Sequence, residues 1–521
     1  PLQPVQSQPL GHVLMTTAKQ ILARIAAAKQ DKARHATWID ETLRLALPTY
    51  RRCNERSDTS LRIEEQDDQF DNELEIVAED FASDMISTFT PRHERWVMFE
   101  PADDLSEGQK REIAPQLAAI GDAVFAEIER SNYWDAAQEC FAYWGVSAMA
   151  VALSDMGPLN PLHFQPIEIP DLLMERGPDG SVTGKWREMK LTQAEQNMLW
   201  GASMGNIFPA FTGAGKDKKQ RIVEGCDRDW STPGVERWSY RIFVDDKERV
   251  NLTYEGAGSC PIITCRFRQQ ADSAWGPGPF KKATPRARVL DELAYLNLKG
   301  LGRTIDPAFS YEEDGLANFD GGMEPGKGFA RAPGSKSPEA FLPDVRFDAS
   351  FFAADEMRKG IKRACYQDRP EQPGDTPPTL GQWMDEKAWN TRRKELPRDR
   401  CVREWVLPII ERVAWILAKR GVLPEVKLKG GKVVNCRPIS PLSKAKDLED
   451  MNLTGQVLSM AASIGGAMQV GVPVDAKATM ENLIATAKER HIVMKSDEQI
   501  MAEQAAQMMA QGGGMPDVGG A

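Results

Sequence analysis

WGPGPFKKATPRARVLDELAYLNLKG, Trp275 to Gly300, decides how this chain is built. Its two Gly-Pro pairs force turns, because glycine tolerates unusual dihedrals and proline fixes φ. Thr284 stands where an N-cap belongs. Pro285 stands at the first helical position, where its missing N–H costs nothing. Val289, Leu293 and Leu296 recur at intervals of four and three, with Leu290 beside them, and form one apolar stripe. Gly300 offers a left-handed stop. The pattern predicts a helix over 285–299, and by itself it reads as an ordinary core helix.

Downstream, 301–349 is rich in Gly, Pro, Asp and Phe and has little periodicity. So long a stretch inside a compact chain needs a reason, and short strands with extended arms are expected. SFFAADEMRKGIKRACY, 350–366, then predicts a helix. Phe352, Met357 and Ile361 carry its apolar side, helped by Ala364, and Arg358, Lys359, Lys362 and Arg363 make its polar side basic. A helix out, an irregular excursion and a helix back imply a lobe on a two-helix stalk. DRPEQPGDTPPT, 368–379, is too proline-rich for helix or central strand. LGQWMDEKAWNTRRKEL reads as helix. So does RDRCVREWVLPIIERVAWILAKRG, with a stripe of Val402, Trp405, Ile409, Val413 and Ile416 and a kink or division at Pro408. A short extended piece and further helix follow, and the closing GGGMPDVGGA reads as disordered.

Upstream, Thr16 to Leu47 reads as helix ended by Pro48, and NELEIVAEDFASDMISTF as a second helix closed by Pro91. Residues 107–143 hold one or two more. The aromatics Phe125, Tyr133, Trp134, Phe141, Tyr143 and Trp144 there read as core rather than as a base-stacking platform. From Ala148 the texture becomes mixed α/β. Val182, Trp186 and Met189 fit a strand, with a return to helix from Leu191. Trp238, Tyr240, Ile242 and Val244 alternate, which predicts one buried and one wet face.

A chain of 521 residues is long for one core, so two or more packed regions are expected. The net charge of −11 argues against a protein that coats nucleic acid over its whole surface. It leaves room for a local basic strip, or for a passage that DNA crosses without being gripped. Eight cysteines are scattered with no CxxC, so reduced, mostly buried thiols are expected and no metal is assigned. Five histidines show no ligand spacing, and HExxH and GxSxG are absent. FTGAGKDKKQ fails as a phosphate loop, because Asp217 follows Lys216 and Ala210 stands where a glycine belongs. No catalytic residue and no cofactor is assigned. No run of 18 apolar residues occurs, so no membrane contact is expected. PLQPVQSQPL has no signal-peptide character, and the opening Pro1 implies that an initiator and some leader residues precede it.

These residues resemble the portal, or head-to-tail connector, family of short-tailed tailed bacteriophages. FTPRHERWVMF, 89–99, is similar to the family's segment after its second helix at Pro91, Trp96 and Phe99. It departs at Val97, where a second aromatic is common. NPLHFQPIEIPDLLMERGPDGSVTGKWRE matches the family's strand, glycine turn and strand. CRFRQQADSAWGPGPFKKATPRARVLDELAYLN is the strongest match. LPRDRCVREWVLPIIERVAWILAKRGVLPE and ISPLSKAKDLEDMN are also like it, although Lys444 and Lys446 replace an arginine-rich pattern. The order and spacing of these motifs are more specific than any one of them.

The resemblance implies an α+β, mainly helical portal fold with wing, stem, clip and crown regions, assembled as a ring around a central channel. Mapped here, 1–280 would be wing, 281–301 the first stem helix and 302–348 the clip. The second stem helix would be 349–367, the channel loop 368–379 and the supporting helices 380–435. The crown would be 436–505 and a disordered tail 506–521. Such a ring, usually of twelve copies, occupies one vertex of the virion's capsid and forms in the host cytoplasm. It takes in double-stranded DNA during packaging and releases it at ejection. Its implied partners are its own copies, DNA without sequence preference, major capsid protein, scaffold protein, terminase, the tail adaptor and internal core proteins. Twelve helices, each about 10 Å wide, leave an opening of roughly 28 Å, enough for a duplex. Arg286, Arg288, Arg358, Lys359, Lys362 and Arg363 are the candidates for brushing phosphates. Gln372, Pro373, Gly374, Asp375, Thr376 and Pro377 are the candidates for narrowing the bore. The alternatives are a virion adaptor or scaffold-like protein without a channel, and a nuclease or ATPase.

Overall fold

The computed structural model describes residues 17–53, 69–92, 95–101, 107–155, 162–204, 219–231, 234–305, 308–310, 339–341, 347–368, 393–394, 397–423 and 434–438. All belong to one compact unit that ends at Pro438, and the second unit, Ile439–Ala521, lies outside the described residues. The expected crown from 439 onward, the tail, and the rejected phosphate loop therefore lie outside them too.

Helix α1, Ala18–Ala46, opens with a capping box. The Thr17 hydroxyl accepts from the Gln20 N–H, and the Gln20 side chain accepts from the Thr17 N–H at 2.8 Å. It stops at Leu47, ahead of Pro48. Helix α2, Glu73–Phe89, likewise stops before Pro91. Strand β1, Val97–Pro101, precedes helices α3, Glu107–Arg130, and α4, Tyr133–Val146. The aromatics in this stretch are core, as their pattern predicts, except Trp134, which is half-buried. Trp96 stacks on Tyr133 at 5.6 Å, Phe141 meets Trp144 edge-on, and Phe81 and Phe267 close on the same indole.

Strand β2, Ala148–Ser154, is the centre of a three-stranded antiparallel sheet. It lies between β3, His163–Pro166, and β9, Ile262–Arg266. A five-stranded antiparallel meander holds β4, Leu172–Arg176, β5, Val182–Leu191, β6, Gln220–Arg228, β7, Arg237–Val244, and β8, Lys247–Glu255, in that order. Helix α5, Gln193–Met204, is inserted between β5 and β6.

The expected wet face of β7 is not wet. Ser239, Arg241 and Phe243 are buried, as are the alternating Trp238, Tyr240, Ile242 and Val244. The cause is α1, whose Ile21, Ile25 and Ala28 form one core cluster with Leu173, Trp186, Val223 and Phe243. Polar groups caught under this cover are paired. Arg24 binds Glu175 at 2.5 Å, and Arg241 reaches Glu248 at 3.1 Å and Asp227 at 3.5 Å. On the opposite face Arg187 and the Tyr240 hydroxyl both donate to Glu224 at 2.5 Å. Burying a charge is costly unless it is neutralised or hydrogen-bonded in this way.

Residues 397–419 are helical, interrupted at Val402–Val406 by a π-turn that leads into α8, Leu407–Lys419. The prolyl ring at 408 crowds the carbonyl four residues earlier, that of Glu404. The wider turn relieves that crowding, so the helix goes on instead of dividing. Trp405, Ile409, Val413 and Ile416 of the expected stripe are buried, and Val402 is half-buried. Strand β12, Val434–Pro438, pairs antiparallel with β1 and spans the expected boundary at 435/436. Cys53, Cys140, Cys226, Cys260, Cys265, Cys365 and Cys401 are free thiols, and all of these but the half-buried Cys53 are buried.

Candidate functional site

The turn that launches the opening stretch is a close backbone approach. Gly278 donates its N–H to the Val146 carbonyl at 2.8 Å. A Cβ on it would stand 2.1 Å from the Gly145 carbonyl oxygen, so nothing larger than glycine fits. Helix α6, Pro279–Ile305, begins at once, with Phe280 buried flat against Gly145. This corrects the expected start. Thr284 is not an N-cap but a buried residue in the second turn, whose hydroxyl donates to the Phe280 carbonyl at 2.9 Å. Pro285 lies inside the helix, and Gly300 does not stop it. Anchoring of Phe280 in the body sets the first turn earlier than local capping rules would.

The apolar stripe is corrected as well. Leu290 is buried and Leu293 half-buried, but Val289 is 45% and Leu296 53% exposed. No residue of α6 after Leu290 is buried, and Tyr295, Leu298, Leu301 and Ile305 all face solvent in the single subunit. After α6, strands β10, Ala308–Ser310, and β11, Glu339–Phe341, pair antiparallel and bring the chain back. Helix α7, Phe347–Ala364, returns beside α6 and antiparallel to it, since Arg286 donates to the Gly360 carbonyl at 3.3 Å. A Cβ on Gly360 would meet the Arg286 side chain. The helix is closed by Tyr366 in the left-handed region at φ 63°. Among its described side chains, Ile361 and Ala354 are buried. Phe352, expected on the apolar side, is 76% exposed, because α6 covers the other face.

The six basic candidates sit on this helix pair, and four are tied down within the subunit. Arg288 pairs with Glu41 of α1. Arg358 meets Asp71 at 3.1 Å and Glu73 at 3.6 Å, and Lys362 meets Glu73 at 3.1 Å. Lys359 pairs along its own helix with Asp355 at 3.3 Å. Arg286 bridges the two helices through Gly360, while the Arg363 side chain is exposed and has no ion pair among the described residues. The acidic anchors Glu41, Asp71 and Glu73 were not singled out in the sequence. For Glu73 the signal is the pair of acids in the first turn of α2, where a helix N-terminus favours negative charge; Glu41, on α1, carries no such signal. Asp291 adds a further tie from α6, accepting the N–H groups of Phe70 and Asp71 at 2.7 and 3.0 Å. Residues 372–377 lie outside the described residues.

A carboxylate–serine–histidine cluster near α1 is structural. Asp31, Ser273 and His35 converge, but not as a nucleophile with its base. Trp38 donates to His35 Nδ1 at 3.1 Å, His35 Nε2 then donates to Ser273 Oγ, and Ser273 donates to Asp31 at 2.8 Å. The one-way relay staples α1 to the chain ahead of α6 and leaves no base free for a substrate. Among the described residues no cluster of three metal-ligating side chains occurs, and no helix is long and apolar enough to cross a membrane.

A family model described as bacteriophage head to tail connecting protein matches residues 18–488. Among solved structures, the chain is similar to one in the virion of a native gene transfer agent particle. Identity there is 14% over 88% of this chain and 98% of that one, with a TM-score of 0.35. A chain in the neck of an empty gene transfer agent particle is 13% identical, covering 79% of this chain and 88% of that one, with a TM-score of 0.32. Neither likeness bears on the fold at these scores. No curated protein matches.

Proposed function

The chain belongs to the bacteriophage head to tail connecting proteins, a structural and not an enzymatic family, and from that premise we propose that it is a portal. Copies close into a ring at one capsid vertex, with α6 and α7 as stem, 302–348 as clip and double-stranded DNA passing between the stems. The ring serves packaging, retention and ejection, and docks terminase and later the tail adaptor.

One observation carries this reading. Val289 and Leu296 on one side of α6, Leu298, Leu301 and Ile305 on the opposite side, and Phe351 and Phe352 on α7 are exposed on a helix pair that the subunit itself does not cover. A soluble protein rarely leaves so much apolar surface to water on two sides of one helix. In a closed cyclic assembly each subunit presents two different faces, and neighbouring stems cover one another without an open end. The charge pattern agrees. Arg288, Arg358, Lys359 and Lys362 are already neutralised inside the subunit, which leaves Arg363 and Arg286 for brief contact with phosphates. A bore so lined lets DNA slide, whereas unpaired cations all round would hold it.

Negative-stain imaging of the purified chain tests the assignment. A ring with a central hole is the expected result, and a chain that stays single under every condition overturns it. Residues Gln372–Pro377 are proposed to narrow the bore. Their deletion is expected to leave the ring intact and lower the fraction of particles that retain packaged DNA. Equal retention in mutant and parent removes the gating role.

A further inference from the structure

Two surfaces of opposite sign lack counter-charges within the subunit. The first is built on α8. Arg412, Trp415 and Lys419 are spaced by three and four residues, so they share one side of that helix. Trp415 donates its Nε1–H to the carbonyl of Glu255, the last residue of β8, at 3.1 Å. Tyr254 meets the indole edge-on at 5.5 Å. The Arg412 guanidinium lies 4.4 Å from the centre of the indole and the Lys419 amine 3.9 Å from it. Lys419 also lies 5.2 Å from the Tyr254 ring. An aromatic face attracts a cation but carries no net charge, so neither cation is neutralised by these contacts.

Arg412 is only 6% exposed. Its guanidinium donates to the Ser259 and Gly258 carbonyls at 3.0 and 3.4 Å, and its Nε has no acceptor. The other buried arginines among the described residues, Arg187, Arg241 and Arg266, each hold a carboxylate. Neither Arg412 nor the exposed Lys419 forms an ion pair among the described residues. The acids around them are engaged elsewhere. Glu255 pairs with Arg237 at 3.2 Å, and Asp155 pairs with Arg420. Burial, with Glu236 nearby, pushes the Glu411 carboxyl up to about 7, so at neutral pH it offers only part of a charge.

The second surface is the outer side of α2. At 100° per residue, Glu75, Ile76, Glu79, Asp80 and Ser83 fall on the side away from the buried Val77, Phe81 and Met85. Glu79, Asp80 and Ser83 are exposed, Glu75 is half-buried and Ile76 is 48% exposed. Glu75 and Glu79 are like charges one turn apart, an arrangement that weakens a helix unless something offsets it. None of Glu75, Glu79 and Asp80 forms an ion pair among the described residues. Each surface therefore sets charges of one sign around an apolar body, Trp415 with Tyr254 on one and Ile76 on the other. The indole already carries two cations and Tyr254, so it offers no face on which a base could stack. That favours carboxylates over nucleic acid as the partner. At net −11, every other copy of the chain is an acidic partner.

We infer that the Arg412–Lys419 side of α8 docks on the Glu75–Asp80 side of α2 of a second copy. Two different faces of opposite sign give the head-to-tail contact that a closed ring repeats. The contact rests on the proposed ring and adds to it a charged joint between subunits outside α6 and α7.

Sedimentation velocity of the full chain at matched concentration tests the pairing. Lys419 and Glu79 are exposed, so their reversal should spare the fold, which melting curves check. Lys419→Glu alone and Glu79→Lys alone should each weaken association roughly tenfold or more, because each sets like charges against one another. An equal mixture of the two variants should assemble again, with the two kinds of subunit alternating so that every contact is opposite in sign. One chain carrying both changes should assemble as well. Lys419→Gln and Glu79→Gln, which keep the side chains' size, should each flatten the salt dependence of the parent's association. Parent-like assembly of either folded single reversal overturns the pairing and leaves the portal reading standing. So does weakened assembly that neither the mixture nor the double change restores, and so does unchanged salt dependence in the glutamine variants. A parent chain that never assembles removes the portal reading and this contact together.

Discussion

Glu404 and Glu411 show how much single carboxylates decide in this subunit. Glu404, in the π-turn, accepts from the Arg266 backbone at 3.0 Å and from its guanidinium at 2.7 Å, while the Arg266 side chain is only 2% exposed. Glu404→Ala leaves that charge buried and unpaired, and a loss of about 3–5 kcal/mol in urea unfolding is expected. Arg358→Ala removes an equally visible pair at the surface and should cost under about 1 kcal/mol. Glu411 behaves differently. Burial, with Glu236 nearby, pushes its carboxyl up to about 7 from an ordinary 4.5. The folded state therefore holds this proton more tightly than the unfolded chain does. The stability it contributes is complete below pH 4.5 and is lost as pH rises through about 7. Glu411→Gln keeps the neutral shape at every pH. Its melting curve should match the parent near pH 4 and lie above it at pH 8, by roughly 2–3 kcal/mol at 1.36 kcal/mol per unit. A constant offset across that range would mean that Glu411 does not titrate as described.

At the scale of elements, Pro285 sets an internal tension in α6. It lies in the second turn, is exposed, and cannot donate to the Lys281 carbonyl. Beside it, the Thr284 hydroxyl bonds back to Phe280, a contact that tends to bend a helix. Pro285→Ala restores the missing bond, and calorimetry should show a gain of about 1–3 kcal/mol; a loss would mean that the bend is needed for packing against α1. The same stretch shows what a sequence can and cannot disclose. The Gly-Pro turn is legible because its chemistry is local. The true start of α6 is not, because Phe280 is held by Gly145, far away in the chain. Strand β7 is legible from its alternation, but its second covered face depends on α1, more than 190 residues earlier. The basic side of α7 is legible, whereas its partners Asp71 and Glu73 lie on an element brought beside it only by folding. Motif order over the chain supplied the family, which no single element would have done.

At the scale of the whole molecule, the question is what covers the outer sides of α6 and α7, since Leu296 and Ile305 lie on opposite sides of α6. Leu296 is 53% and Ile305 81% exposed, and neither contributes to the subunit's own core. Leu296→Asp with Ile305→Asp should therefore leave subunit unfolding within about 0.5 kcal/mol of the parent per site. Burying such a side chain in an interface is worth about 1.5–3 kcal/mol. In a cyclic assembly the loss recurs at every subunit boundary, and each charge must also be desolvated. Association at each boundary should weaken by at least tenfold, the equivalent of about 1.4 kcal/mol. Sedimentation velocity at matched concentration reads the result directly: the parent runs as a large closed species and the double variant shifts toward single chains. Retention of the parent's sedimentation by a folded double variant would place the subunit contact away from both of these sides of α6, and the stem assignment of α6 would go with it.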